Sequence, residues 1–254
     1  MENITSRANP LLTHMKKLAA DGGYRRQSGE FLCDSPKLLA EALAFHAPIT
    51  AVVSTTGVTV DGARCATVPQ DVMASVSPMK TPQGVIFTVK LPALTPPEAL
   101  SPGRYVALDG VQDPGNVGTI IRTADAVGAL GLILLEGCVD AYSPKVVRAS
   151  MGSLFHLPVV QDVTAEEALT WCYRNGYEPA ATALKNAQNV YKADISKKMA
   201  FLFGNEANGV AEELQAAAET RLFIPMTGLA ESMNVAMAAG IILFEGLRQR
   251  KFYR

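Results

Sequence analysis

The sequence predicts an α/β protein in which a parallel sheet is covered by helices on both faces, preceded by a smaller α/β domain. Three observations predict this fold. Short apolar strands alternate with helical stretches after about residue 104, these strands are apolar throughout, and a proline-rich segment precedes them. Strands that are apolar on both faces are typical of parallel sheets buried between helices.

The C-terminal part supplies the elements of this sheet in a regular order. The predicted strands are RYVALDGV, GLILLEG, LPVVQDV, EPAATAL, MAFLFGNE and TRLFIPM. The predicted helices are TIIRTADAVGA, PKVVRASMGSL, TAEEALTWCYRNG, GVAEELQAAAE and SMNVAMAAGIILFEGLRQR. Capping residues support these boundaries, because Ser143–Pro144 and Thr164 stand at helix starts and Gly128 and Gly176 at helix ends.

The segment LPALTPPEALSPGR, residues 91–104, divides the chain. Proline removes backbone donors and disfavours helix in the residue before it, so this segment is expected to be a linker. We therefore predict two domains, residues 1–98 and 99–254. The first is expected to be a small α/β unit, since Asn9–Pro10 and Ser35–Pro36 are helix-start pairs and ITAVVST and GVIFTV are rich in β-branched residues.

Composition excludes several classes of protein. The 254 residues are 48% hydrophobic and 19% charged, with a formal net charge of −1. This composition is typical of a globular chain with a sizeable core and excludes a disordered or fibrous protein. Because the net charge is close to zero, any binding to nucleic acid must use a local basic patch or a shaped site.

Metal sites and membrane segments are not expected. The four cysteines and three histidines are dispersed and show no metal-ligand spacing. The longest apolar run, Val235–Phe244, is far shorter than the ~20 residues that a bilayer requires. The N-terminal residues MENITSRANP lack the apolar region of a signal peptide, so we expect a cytoplasmic protein.

Three glycine-bearing loops follow predicted strands and are the candidate ligand-binding segments. They are residues 109–126, 203–210 and 224–240. Open α/β sheets bind ligands beyond the carboxyl ends of their strands, so these loops are expected to form a site together.

The first loop resembles a phosphate-binding turn but not a dinucleotide fingerprint. Asn116 is expected to cap the helix after Asp113, and Arg122 lies on the second turn of that helix, where a guanidinium can grip a phosphate. Gly115 and Gly118 are three residues apart, which does not fit G-x-G-x-x-G. A nucleotide-dependent oxidoreductase is therefore disfavoured.

A basic cluster lies near the N-terminus, beside Tyr24. Its members are Arg7, Lys16, Lys17, Arg25 and Arg26. The charges alone leave two interpretations open: a solvated helix face, or a patch that contacts RNA phosphates.

Taken together, the three loops resemble the SpoU (TrmH-type) RNA ribose methyltransferases of the SPOUT superfamily. Asn116, Gly118 and Arg122 match the family's Asn-x-Gly-x-x-x-Arg motif, and residues 204–209 match Gly-x-Glu-x-x-Gly. The third motif is matched by IPMTG, residues 224–228, followed by Ser-Met-Asn-Val at residues 232–235. Met233 replaces the family's usual leucine, a change of similar volume.

The resemblance implies a fold with a deep C-terminal trefoil knot, one of the rare exceptions to unknotted chains. It extends weakly over the first domain, which is similar to an L30e-like substrate-binding domain. Asp34 departs from the glycine found in many such domains.

The resemblance also implies transfer of a methyl group from S-adenosylmethionine to a ribose 2′-OH, without a metal. The catalytic residues it implies are Asn116, Arg122, Glu206, Ser232 and Asn234. The cofactor-binding residues it implies are Gly204, Ile224 and Met233, with Thr182 and Leu184 at the end of the fourth strand. An arginine normally stays protonated, so we place Arg122 at the ribose and leave the proton acceptor open.

By the same resemblance, ribosomal RNA is expected as the substrate in preference to tRNA, and a homodimer formed through the knotted region is expected. The long apolar face of the last helix supports self-association. One further alternative is an RNA-binding, ribosome-associated protein that has lost catalysis.

Overall fold

The computed structural model describes residues 1–92 and 103–252. The strands among these residues form two separate sheets. Residues 93–102 of the proline-rich segment taken as the domain boundary lie outside the described residues. Among the described residues, no helix is both long enough and apolar enough to cross a membrane.

The first sheet is mixed. Its strands are β1 (Glu2–Asn3), β2 (Glu30–Asp34), β3 (Ile49–Ser54), β4 (Arg64–Thr67) and β5 (Val85–Lys90). Its helices are α1 (Pro10–Ala20), α2 (Gly22–Ser28), α3 (Pro36–Ala44) and α4 (Gln70–Val76). The strand order is β1-β4-β3-β5-β2, and β5 runs antiparallel to both of its neighbours. Leu12, Met15, Val53 and Met73 are among the side chains of its core.

The second sheet is parallel throughout its described strands. These are β6 (Arg104–Asp109), β7 (Gly131–Leu135), β8 (Val159–Val163), β9 (Glu178–Thr182), β10 (Gln188–Asn189), β11 (Met199–Gly204) and β12 (Thr220–Phe223). The helices in this part of the sequence are α5 (Pro114–Ala126), α6 (Pro144–Ala149), α7 (Ala165–Arg174), α8 (Glu212–Ala217) and α9 (Val235–Phe252), of which α6 belongs to the unit of the first sheet. The order is β10-β12-β9-β11-β6-β7-β8, which confirms the predicted parallel sheet and its six strands.

The elements that the sequence analysis missed are short or start on poor helix formers. β1 and β10 have two residues each, so no hydrophobic period can identify them. α2 begins with Gly22 and Gly23, which signal a helix end; it forms because the side chain of Asp21 accepts a hydrogen bond from the Tyr24 amide.

Most predicted helix ends are confirmed, with one correction at α5. Thr164 forms a complete capping box with Glu167, and Gly128 adopts φ +69° directly after the end of α5. The expectation that Asn116 caps α5 is wrong. Asp113 is the cap, and its Oδ1 accepts from the Asn116 amide at 2.8 Å, because Pro114 starts the helix earlier.

The last helix is fixed at its C-terminal end. Gln249 Oε1 accepts from the Ile195 amide at 2.9 Å, and Gln249 Nε2 donates to the Ala193 carbonyl at 3.0 Å. α9 also packs against α5. These contacts hold the chain that follows the third motif beside the helix that carries the first.

The segment Tyr142–Phe155, which includes α6, belongs to the same compact unit as the first sheet. The Tyr142 ring packs on Phe31 with 5.0 Å between centroids, and Arg148 donates to Asp34 over 3.0 Å. The predicted division at residue 98 placed this segment in the second domain. It joins the first unit because Phe31 and Asp34, both buried on β2, find their partners in it.

Candidate functional site

The three glycine-bearing loops follow strands that are close neighbours in the parallel sheet. The loops after β6, β11 and β12 leave the same edge, because parallel strands end on one side. Asn205 links two of them: its Nδ2 donates to the Gly110 carbonyl at 2.7 Å. Its Oδ1 accepts from the amides of Ala207 and Asn208, at 2.8 and 3.3 Å. The loop after β11 therefore has a defined conformation.

A chain of side-chain hydrogen bonds joins all three loops. Asn234 Nδ2 donates to Asn116 Oδ1 at 2.9 Å, and Asn116 Nδ2 donates to Glu206 Oε1 at 2.7 Å. The Asn234 end of this chain of hydrogen bonds is anchored at the start of α9, where Asn234 Oδ1 accepts from the Ala236 and Met237 amides at 2.9 and 3.2 Å. The structure thus brings together three of the five predicted catalytic residues.

Glycine is required at position 204 because the protein's own backbone leaves no room for a side chain there. A Cβ at this position would lie 2.0 Å from the backbone carbon of Gly209 and 2.0 Å from the nitrogen of Val210. The loop folds back so closely that the Asn205 and Gly209 backbones exchange hydrogen bonds of 3.0 and 2.9 Å. At Gly228, by contrast, an added Cβ meets nothing within 4 Å.

A cavity of about 520 Å³ opens between these loops. All five residues predicted to bind the cofactor line it: Thr182, Leu184, Gly204, Ile224 and Met233. Glu206 and Ser232, from the predicted catalytic set, line it as well. Its walls include buried apolar side chains such as Phe203, Val210 and Ile242, so part of a ligand here would be shielded from water.

The charged residues of the lining have a simple pattern. Among the described lining residues, the carboxylates are Glu206 and Glu231 and the only cation is Lys185. All three side chains belong to exposed residues, so the charges stand around an apolar interior. A ligand that matches this lining would combine an apolar group with separate cationic and anionic groups.

Arg122 makes no hydrogen bond to the other predicted catalytic residues in the described part of the chain. It is exposed on α5, is not among the described residues that line the cavity, and has no hydrogen-bond or ion-pair partner within the described part of the chain. Its guanidinium is therefore available to a group that the chain does not supply.

The nearby thiol is not a nucleophile. Cys138 donates to the Leu108 carbonyl at 3.2 Å, at the end of β6. Burial raises the pKa of this thiol to about 11, so it stays protonated at neutral pH. Within the described ranges, no group of three or more histidine, cysteine, aspartate or glutamate side chains could hold a metal ion.

The N-terminal basic cluster is only partly exposed, and the predicted role of one member changes. Arg25 is buried and donates to the Leu18 carbonyl, so the prediction that it contacts RNA is wrong. The Arg25 guanidinium therefore faces the protein backbone and not the solvent. Arg7 makes an exposed ion pair with Asp71 at 2.7 Å, and Lys17 Nζ lies 5.3 Å above the Tyr24 ring. Lys16 is half-buried and Arg26 is exposed.

Sequence reasoning missed three residues of this site. Asp113 caps the helix of the first motif, Asn205 shapes the second loop, and Lys185 lines the cavity. A usable signal existed for Lys185, which is the first charge after the end of β9 at the ligand-binding edge. Asn205 follows a motif glycine, but its contacts depend on the folded loop.

The sheet, its cavity and the three joined loops define a ligand-binding α/β protein. A protein-family model for the SpoU rRNA methylase family matches residues 103–244. This chain belongs to that family.

Relatives similar over nearly the whole chain agree with this assignment. One is the Bacillus subtilis (strain 168) 23S rRNA (guanosine(2553)-2′-O)-methyltransferase RlmP, which is 33% identical over 96% of this chain and 98% of its own length. An AdoMet-bound rRNA methyltransferase from Sinorhizobium meliloti superposes with a TM-score of 0.90, at 33% identity, covering 99% of this chain and 98% of that one. The SpoU methyltransferase AviRb from Streptomyces viridochromogenes, in complex with AdoMet, superposes with a TM-score of 0.85 at 28% identity, covering 97% of this chain and 100% of that one.

Proposed function

We propose that the protein is an S-adenosylmethionine-dependent RNA methyltransferase that methylates a ribose 2′-OH in ribosomal RNA. The observation that carries this proposal is the chain of hydrogen bonds from Asn234 through Asn116 to Glu206, at the rim of a cavity lined by the second and third motifs. Relatives over the full length are named rRNA methyltransferases, which supports rRNA as the substrate class.

The cavity fits the cofactor. Its volume of about 520 Å³ lies in the range of small-molecule sites, and its apolar walls suit an adenine ring. When bound, S-adenosylmethionine supplies an electrophilic methyl group on a sulfonium. Thr182, Leu184, Gly204, Ile224 and Met233 would hold it.

The protein's own residues then have to orient a weakly acidic hydroxyl and remove its proton. The hydrogen-bonded pair Asn116 and Glu206 holds a fixed polar surface at the cavity, and Ser232 lies exposed in its lining. These groups can orient the ribose so that its oxygen approaches the methyl carbon, which lowers the entropy cost of reaction. As the C–O bond forms, the C–S bond breaks and the hydroxyl proton leaves to an acceptor.

Arg122 has the geometry of a group that binds the RNA. It is exposed and lacks an intramolecular partner among the described residues, and a planar guanidinium binds phosphate oxygens through two parallel hydrogen bonds. We assign it to the phosphate beside the reactive ribose, where its positive charge also stabilises the negative charge that develops on the ribose oxygen as the hydroxyl proton leaves.

Three further assignments belong to the same proposal. Lys16, Lys17, Arg26 and Arg7 would form an RNA-contacting surface on the first unit. The enzyme would act as a homodimer with the active site near its interface, because Met237 and Phe244 expose 61% and 52% of their area on one face of α9. It would work in the cytoplasm, where ribosomes are assembled.

The deciding experiment transfers a labelled methyl group to RNA from cells that lack the protein, followed by mapping of 2′-O-methyl positions. The wild-type enzyme is expected to label ribosomal RNA at one ribose. Arg122→Ala is expected to lower the single-turnover rate by orders of magnitude while leaving cofactor affinity unchanged, since Arg122 does not line the cavity. Arg122→Lys should rescue poorly because it lacks the planar fork.

Labelling of tRNA in place of ribosomal RNA would overturn the substrate assignment. Cofactor binding without transfer to any RNA would support the catalytically silent alternative. A wild-type single-turnover rate in Arg122→Ala would remove this residue from the mechanism.

A further inference from the structure

The cavity contains one cation whose role the family motifs do not account for. Lys185 lies in the loop after β9, outside all three motif loops, and lines the cavity next to Leu184. It has no hydrogen-bond or ion-pair partner among the described residues. An ammonium group at the edge of an otherwise acidic and apolar lining is a specific recognition element for an anion.

The charges of the lining match those of the proposed cofactor. S-adenosylmethionine carries a sulfonium and an ammonium, both cationic, and one carboxylate. The carboxylates of Glu206 and Glu231 are suited to its cationic groups, which leaves its carboxylate for the one lining cation. Glu206 already accepts from Asn116, so its position is fixed before the ligand arrives.

We propose that Lys185 binds the carboxylate of S-adenosylmethionine and makes the site selective for ligands that carry an amino-acid carboxylate. This inference rests on the proposed function, since it names the group of that cofactor which the cavity distinguishes. Lys185 acts as a specificity residue and takes no part in the transfer of the methyl group.

The test compares two ligands that differ only in this carboxylate: S-adenosylmethionine and its decarboxylated form. Dissociation constants are measured by calorimetry for the wild type, Lys185→Gln and Lys185→Arg. Lys185→Gln is expected to weaken S-adenosylmethionine about fivefold, which corresponds to about 1 kcal/mol for a rim-exposed ion pair, and to leave the decarboxylated ligand unchanged. Lys185→Arg should retain most of the affinity.

Lys192→Gln is the matched control, because Lys192 is an exposed lysine of the same region that is absent from the described cavity lining. It removes the same charge and should change neither dissociation constant. An equal loss for both ligands in Lys185→Gln, or no loss for either, would overturn the proposal. A wild type that binds the two ligands equally would also overturn it. A chain that binds neither ligand would instead contradict the proposed function.

Discussion

Individual side chains show which motif positions serve the fold and which serve a ligand. Glycines in a ligand-binding loop commonly let the ligand approach the backbone closely. Gly204 has a different cause, since the backbone of Gly209 and Val210 occupies the space that a Cβ would need. Arg25 similarly proves to be part of the protein interior, although its sequence neighbourhood is basic and polar.

Gly204→Ala is expected to abolish cofactor binding. The added Cβ would lie 2.0 Å from two backbone atoms, and a backbone cannot move aside as a flexible side chain can, so the loop after β11 must open. Calorimetry with S-adenosylmethionine measures the effect. Gly228→Ala is the control from the third motif, where nothing lies within 4 Å of the added atom, and it should bind normally. Normal binding by Gly204→Ala would contradict the steric explanation.

Among the elements, α9 links the stability of a helix to the arrangement of the site. Its first turn is capped by Asn234, and the same side chain donates to Asn116 of the first motif. One residue therefore has two separable roles: its Oδ1 satisfies helix amides and its Nδ2 holds the neighbouring loop.

Asn234→Asp and Asn234→Ala should separate these roles. Aspartate keeps the capping oxygen but cannot donate to Asn116, so the unfolding free energy should stay within about 0.5 kcal/mol of wild type while the methyl-transfer rate falls. Alanine should lose both the cap and the hydrogen bond to Asn116. The methyl-transfer rate should then fall, and the unfolding free energy should drop by about 1 kcal/mol. Urea unfolding and single-turnover assays measure the two effects.

Thr164→Ala is the control for loss of a cap, because Thr164 caps α7, a helix that carries none of the joined motif residues. It should lower stability and leave the rate unchanged. If Asn234→Asp transferred methyl groups at the wild-type rate, its hydrogen bond to Asn116 would have no role in catalysis.

At the scale of the whole molecule, burial of the Asp34 carboxyl makes the stability of the first unit depend on pH. Burial raises the pKa of Asp34 above its ordinary value of 3.8, even though Arg148 donates to it at 3.0 Å and lowers it. The folded state therefore binds this proton more tightly than the unfolded chain does. Stability from this group is greatest below about pH 3.8 and falls as pH rises through the window above that value.

Asp34→Asn should remove that part of the pH dependence. The difference in unfolding free energy, variant minus wild type, is expected to rise with pH above 3.8 and to level off once the pH exceeds the raised folded-state pKa of Asp34. Urea unfolding followed by circular dichroism at several pH values measures it. Asp71→Asn is a control of opposite sign, because the hydrogen bond from Arg7 lowers the pKa of Asp71. A difference curve for Asp34→Asn that is flat would refute this account.

The proposed homodimer makes a prediction about α9. Met237 and Phe244 are seven residues apart and lie on the same side of the helix, and both are exposed. Phe244→Glu should convert a dimer into a monomer, since a charge would be buried in an apolar interface. Light scattering at micromolar concentration gives the mass. Leu43→Glu, an equally exposed apolar position on α3, should leave the mass unchanged; a monomeric wild type would contradict the dimer.

The order of elements, the parallel sheet and the motif loops could be predicted from the sequence, because their signals are local. Apolar runs, caps such as Thr164 and the spacing of Asn116 and Arg122 all lie within short stretches of chain. The trefoil knot and the dimer come from resemblance to a family and stay predictions.

Tertiary structure alone decided which distant groups meet. Asn116 and Glu206 are 90 residues apart, Asp34 and Arg148 are 114 apart, and each pair depends on how separate elements pack. The same holds for the burial of Arg25 and for the crowding at Gly204, where the neighbouring atoms are supplied by the folded backbone. Local sequence sets what each segment can form, whereas contacts between segments depend on the free energy of the whole packed chain.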